Sequence, residues 1–342
     1  MSLSSLISWI CSAITFGTII LYGCLGETLT QKVGNINLGT PGIMTLGGIG
    51  SVLSAFAYES SVSNPNPIMC IVVAIIGALL LSGFGGLIYA FLTITLKCNQ
   101  NVVGLTLTTF GTGVANFFGG VLMSLSGGVG QVSLKLTSGY FRARIPFLST
   151  ELGIVSDLFF SYGFLFYLSI IIAIILNYFL NKTRAGLNLR AVGENAATAD
   201  ACGINVTKYK YCAVIIGSLI SGLGGLYYSM DYIMGTWNND GIIEAMGWLS
   251  LALVIFSSWK PIRSIWGSFL FGVCYWLYLY IPGFISKSIA NFFKIEKVTY
   301  LANLYKAIPY VVTIIVLIVV SKKEKDTNAP SSLGKNYFRE ER

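Results

Sequence analysis

From Ser60 to Leu96 the chain runs without one charged side chain, and eight further uncharged stretches follow the same plan. They lie between Met1 and Glu27, Lys32 and Glu59, Lys97 and Lys135, Asp157 and Lys182, Lys210 and Asp231, Glu244 and Lys260, Arg263 and Lys287, and Lys306 and Lys322. A helix needs about 20 apolar residues to cross a bilayer, within a range of about 17–25. The nine stretches therefore predict an all-α, polytopic membrane helical bundle of about nine spans, with eight to ten allowed and some spans broken or re-entrant. The intervals Ala245–Trp259 and Ala307–Ser321 are short; they borrow polar neighbours or form half-helices packed inside protein. Ser60–Leu96 holds one tilted helix, or a helix plus a re-entrant piece. Only 11% of the 342 residues are charged and 54% are hydrophobic. A soluble domain carries roughly 25% charged residues, so a soluble enzyme is excluded.

The domain reading is simple. Residues 1–321 form one transmembrane domain with a polar internal loop at 182–210, and residues 322–342 form a polar tail expected to be disordered. Leu6–Leu25 reads as a retained first span, because no Lys or Arg precedes it and no A-x-A site follows. Loop Lys and Arg set orientation. Five basic residues (Lys182, Arg184, Arg190, Lys208, Lys210) place loop 182–210 in the cytoplasm. Alternation then puts Lys32, Lys97, Lys260, Arg263 and Lys322 inside, and Glu59, Asp231, Asp240 and Glu244 outside. It predicts an outer N-terminus and an inner C-terminus. Lys135, Arg142, Arg144, Lys287, Lys294, Lys297 and Lys306 fall on the outer side against the rule.

The chain has no histidine, and its seven cysteines form no C-x-x-C pair. Histidine metal sites, zinc and iron–sulfur spacings and serine triads are absent, so neither a catalytic residue nor a metal site is expected. The net charge of +8 reads as loop charge at a lipid surface rather than a nucleic-acid footprint.

Glycine clusters inside the apolar runs, at Gly47-Gly48, Gly85-Gly86, Gly111, Gly113, Gly119-Gly120 and Gly224-Gly225. Such glycines let helices cross closely, or mark broken helices along a path. Asn35–Gly42, with Pro41 between Thr40 and Gly42, interrupts any regular helix. It is either unwound backbone beside a polar cavity or a turn at the membrane surface.

In the polar loop, the alanine-rich run Asn195–Cys202 favours a short helix. Glu194 or Asn195 is placed to cap its start, and Gly203 to close it in the left-handed region. Its small side chains make a smooth knob that seats in a partner's groove, or an ordinary surface helix.

The segment resembles the cytoplasmic coupling loop of ABC-importer permeases of the sugar, nucleoside and branched-chain amino-acid type, T-R-x-G-L-x-x-R-A-x-G-E-N-x-x-A-A-x-x-x-G-I-x-V. Thr183, Arg184, Gly186, Leu187, Arg190, Ala191, Gly193, Glu194, Asn195, Ala199, Gly203, Ile204 and Val206 match; Thr198 replaces the first alanine. Leu25-Gly26-Glu27 followed by Gly34–Gly39 resembles the L-G-E…G-x-x-N-x-G region of nucleoside-type members, with Pro41 in place of an acidic residue. Val103–Leu107, Ala245–Ala252 and Leu301–Val316 resemble further segments.

The resemblance implies a permease of the bacterial cytoplasmic membrane. It pairs with a second related permease or with itself, takes substrate from an extracytoplasmic binding protein or lipoprotein, and is driven by cytoplasmic ABC ATPases. Arg190, Gly193, Glu194, Asn195, Ala196, Ala197, Ala201, Gly203 and Ile204 would form the ATPase-coupling loop. No G-x-x-x-x-G-K-[ST] occurs here, since Gly334-Lys335 is followed by Asn336. ATP and magnesium are therefore expected on the partner ATPase, with no cofactor on this chain and membrane lipid around it.

Polar residues within the apolar runs mark a candidate substrate path: Asn37, Thr40, Thr106, Asn116 and Ser250, with Trp248 able to stack on a base or sugar face. Uncharged spans disfavour a highly charged substrate. Nucleosides, pentoses and hexoses fit, and the nucleoside-type motifs favour nucleosides. Two rivals remain: a stand-alone secondary transporter or channel, which would want an intramembrane charge for ion coupling, and a membrane-embedded assembly factor.

Overall fold

The computed structural model describes residues 3–126, 132–143, 160–237, 241–280 and 329–338, together with Val311, Ile314 and Ile318. The described residues are helical apart from turns, extended links and one isolated bridge between Ser133 and Thr236. The helices are α1 (Leu3–Lys32), α2 (Thr40–Ser61), α3 (Pro67–Ala90), α4 (Gln100–Leu125), α5 (Lys135–Phe141), α6 (Phe164–Lys182), α7 (Arg184–Glu194), α8 (Ala196–Ala201), α9 (Val206–Tyr227), α10 (Ile242–Phe256) and α11 (Pro261–Tyr280).

Local chemistry sets where they start. The Asn66 side chain accepts the Ile68 N–H, and Pro67 opens α3, where a missing N–H costs nothing. Asn99 caps α4 through the N–H groups of Asn101 and Val102. Asn205 caps α9 through Lys208. Two helices end in a π turn: α3 through Phe91–Thr95 and α9 through Tyr228–Tyr232.

Six helices are long and apolar enough to cross a membrane: α1, α2, α3 with its π turn, α4, α6 and α9 with its π turn. The expected count of about nine is therefore not reached among the described residues. α10 is apolar but has only 15 residues, and α11 is diluted by Arg263, Ser264, Gly267 and Ser268. The expected last span, Ala307–Ser321, lies outside the described residues except for three helical positions. So do Lys287, Lys294, Lys297 and Lys306.

α2 and α9 form the centre, with 78% and 72% of their spans buried, against 28% for α3 and 33% for α6. α1 packs on α9, α10 and α11, and α2 packs on α3, α4, α9 and α10. Glycine makes the central crossing possible. A β-carbon on Gly47 of α2 would overlap the Gly222 carbonyl of α9. The glycines singled out in the apolar runs lie within continuous helices, so close packing, rather than breakage, accounts for most of them.

The ends sort onto two faces. Lys32 abuts Gly193, Lys97 meets residue 336, and Trp259, beside Lys260, reaches Gln31. Loop 182–210 therefore shares one face with Lys32, Lys97 and Lys260. On the opposite face Glu59 receives Thr137, and Asp231 abuts Gly163. This separation matches the alternation read from the charges.

Candidate functional site

The polar loop is more ordered than its composition alone suggests. Thr183 caps α7 by accepting the Gly186 N–H at 3.0 Å. α7, a helix beyond the alanine-rich run, delivers the chain to Asn195, whose side chain accepts the Thr198 N–H at 3.0 Å and starts α8. Gly203 closes α8 with φ +81°, and the Ile204 N–H returns to the Ala199 carbonyl at 3.0 Å. That is the left-handed closure expected of a glycine after a helix.

Of the proposed coupling residues, Glu194, Asn195, Ala201 and Gly203 are exposed, and Arg190, Ala197 and Ile204 are half-buried. Ala196 faces inward with Ala199, and Gly193 is buried against the Lys32 carbonyl. The loop thus presents a small polar outer surface and uses its smallest residues to sit on the bundle.

Beneath it lies the turn at residues 33–39. Glu27, near the end of α1, is buried and accepts three hydrogen bonds: Gln31 Nε2 at 2.9 Å, the Asn37 N–H at 3.0 Å and Thr40 Oγ1 at 2.9 Å. Trp259 Nε1 donates to Gln31 Oε1 at 2.6 Å and extends the chain of bonds to the α10–α11 turn. There Ser258 and Trp259 hold φ of 52° and 55°, a strained region for side-chain-bearing residues. Asn37 and Thr40 are thereby committed to organising this turn. The segment is buried beneath the coupling loop, and both polar atoms of the Asn35 side chain are buried there without a hydrogen-bond partner among the described residues.

The other candidate path residues separate. Ser250 is buried and donates to the Met246 carbonyl at 2.8 Å. Trp248 keeps a third of its surface exposed. Thr106 and Asn116 lie on the exposed face of α4, joined at helical spacing by Thr109, Gly113 and Gly120. Thr106 and Thr109 return their hydroxyls to Val102 and Leu105 of the same helix. Among the described residues, nothing beyond the helix's own backbone and the chain neighbours lies within 4 Å of a β-carbon at Gly113 or Gly120. A lipid-facing helix is apolar at mid-depth; this polar, small-residue stripe is suited to another protein surface or to water.

Composition assigned the tail to disorder, and residues 329–338 correct that. Ser332 donates its N–H to the Gly193 carbonyl at 3.0 Å, and Gly334 donates to Gly34 at 2.9 Å. Asn336 Nδ2 reaches the Lys97 carbonyl at 2.6 Å, and its Oδ1 accepts from Gln100 at 3.1 Å. Tyr337 donates to Asp200 of α8 at 2.8 Å. A strap thus ties both ends of α8 to the α1–α2 and α3–α4 turns. The signal in the sequence was a Pro-Ser-Ser-Leu-Gly turn followed by Tyr337-Phe338, an aromatic pair that a solvated tail does not need.

Known proteins share the sequence of this chain. The family described as the branched-chain amino acid transport system permease component matches residues 9–320. The nucleoside ABC transporter permease protein NupC of Lactococcus lactis subsp. cremoris is 31% identical over 335 residues, covering 96% of each chain. The putative glucose ABC transporter permease protein TsgC13 of Haloferax volcanii is 32% identical over 258 residues, 75% of this chain and 72% of its own. The guanosine ABC transporter permease protein NupQ of Bacillus subtilis is 28% identical over 262 residues, 76% of this chain and 78% of its own. No solved structure matches. The chain belongs to the branched-chain amino acid transport system permease component family and is a multi-pass permease subunit of an ABC importer.

Proposed function

We propose that this permease moves nucleosides inward by alternating access, driven by ATP and magnesium bound to a separate ATPase that seats on α8. The carrying observation is the capped knob from Glu194 to Gly203, fixed to the bundle on its inner side, held at both ends by the strap, and exposed at Glu194, Asn195, Thr198 and Ala201–Gly203 among the described residues. A movement of α8 passes to α1 through Gly193 and Lys32, and to α2 through the turn organised by Glu27. Nucleosides are preferred because this chain aligns almost end to end with a relative named for nucleosides, whereas the relative named for glucose covers three quarters of it.

In this reading the α4 stripe of Thr106, Thr109 and Asn116 faces a second permease, related or identical, and lines the path between them. Trp248 borders it, Asn37 and Thr40 shape its inner end, and Ser250 supports α2 from inside. An extracytoplasmic binding protein or lipoprotein delivers substrate to the opposite face. The coupling loop lies in the cytoplasm, the N-terminus outside and the C-terminus inside. α10, α11 and the interval Ala307–Ser321 complete nine spans.

The test is uptake of labelled guanosine by proteoliposomes carrying this chain with its ATPase and binding protein. Uptake should require ATP, resist excess ribose or glucose, and fall when Glu194 and Gly203 are both replaced. Retention of the ATPase and of uptake by that double variant would remove the coupling role from α8.

A secondary transporter finds one specific observation in its favour. Asp231, at the outer end of α9, is buried, and its Oδ2 has no hydrogen-bond partner among the described residues. Guanosine uptake down an ion gradient without any ATPase, lost in Asp231→Asn, would select that reading.

A further inference from the structure

A cavity of about 710 Å³ opens on the face that carries the coupling loop, between the end of α3, the start of α9 and the strap. Three lysines line it: Lys97, Lys208 and Lys210. Lys210 is only 4% exposed, and no charged group among the described residues acts on it appreciably. Its stem is buried while its ammonium is not among the buried unpartnered atoms, so the residue holds its positive charge at the cavity wall. Among the described residues lining the cavity the one carboxylate, Asp200, already accepts the Tyr337 hydroxyl at 2.8 Å. The first turn of α9 lines the same space, so the positive end of a 22-residue helix adds to the lysines there. Asn336 and Tyr337 wall the cavity with polar side chains.

Three lysine charges converge on this cavity, although Lys97 also lies 4.3 Å over the Phe338 ring and Asn205 caps the start of α9. We infer that this cavity binds a phosphate group, carried by an anionic lipid headgroup or by free phosphate. Lys210 contacts it from below, Lys97 and Lys208 from the rim. The lipid source has local support. Leu87, Phe91 and Leu96, on the α3 side of the cavity, are each about half exposed and offer a surface for an acyl chain. Basic pockets at the cytoplasmic ends of membrane helices hold anionic headgroups in this way. The lipid source rests on the orientation proposed above; the phosphate site itself does not.

The site is tested on the purified full-length chain in neutral detergent, without ATPase, so that its failure is separate from failure of the transport reading. Native mass spectrometry would follow retention of phosphatidylglycerol, with phosphatidylcholine of the same acyl chains and inorganic phosphate as parallel probes. Lys97→Met with Lys208→Met removes two exposed charges and, at Lys97, one contact with the Phe338 ring; Lys210→Met removes the third charge. Lys182→Met, outside the cavity, is the control. The double variant should weaken phosphatidylglycerol retention about tenfold, and Lys182→Met should leave it unchanged. Phosphatidylcholine should not be retained. Inorganic phosphate that displaces the lipid, with the same lysine dependence, assigns the site to the phosphate group whichever molecule carries it. Equal retention in the double variant and in Lys182→Met, or no retention of either anionic probe, overturns the inference. If Lys210→Met does not fold, the double variant decides alone.

Discussion

Glu194 receives two hydrogen bonds from one residue of the strap: the Ser331 hydroxyl at 2.8 Å and the Ser331 N–H at 3.2 Å. The same residue closes α7 and precedes the cap of α8. The C-terminal strap therefore holds the entrance to the coupling helix, and Tyr337 holds its far end.

Removing the strap should loosen α8 without unfolding the bundle. A chain ending at Asn328, or one carrying Ser331→Ala with Tyr337→Phe, is expected to be cut by trypsin at Arg190 and Lys208 several times faster. Exposed hydrogen bonds contribute only about 0.5–1.5 kcal/mol each, so the thermal midpoint should move little. Unchanged cleavage would mean that α8 is held by α7 and the bundle alone.

The central crossing should be intolerant. Gly47→Ala puts a methyl group into the Gly222 carbonyl, and overpacking of this kind costs about 1–3 kcal/mol. Gly113→Ala and Gly120→Ala enter open space and should leave the thermal stability of the isolated chain unchanged. If α4 faces a second permease, these two variants should instead reduce recovery of the paired complex in a tagged-subunit pull-down.

Glu27 should matter more than Trp259. Glu27→Gln puts an amide where three donors converge; a buried group left unsatisfied costs on the order of 1–3 kcal/mol. Trp259→Phe removes one bond to Gln31 and should cost about 1 kcal/mol. Unfolding midpoints in one detergent rank the two. A larger loss for Trp259→Phe would place the strength of this corner in the strained α10–α11 turn.

Cys202 is exposed at the end of α8. In a variant retaining only this cysteine, a membrane-impermeant maleimide should label inside-out vesicles and not intact cells. Labelling of intact cells would invert the proposed orientation.

The helices were legible because uncharged length is itself the requirement for crossing a bilayer. The caps at Asn195 and Gly203 were legible because each residue type suits one backbone geometry. The strap was not, since its hydrogen bonds run to carbonyls and turns more than 130 residues away, which composition does not encode. In the sequence Glu27 only ends an uncharged stretch, which gives its distance along the chain but not the three donors folded over it. The split among the candidate path residues has a similar cause. Threonine and serine satisfy themselves on their own helix, so their presence in an apolar run does not say which way they face.

The exposed stripe on α4 has a consequence for how such a subunit is made. Thr106 and Thr109 are self-satisfied, but Asn116 would meet acyl chains with its amide bare if the chain stood alone in a bilayer. Synthesis in excess over its mate would leave a surplus marked by that one amide, a ready cue for membrane proteases to trim orphans. If α4 faces a second permease as proposed, Asn116 would also help set how many copies survive.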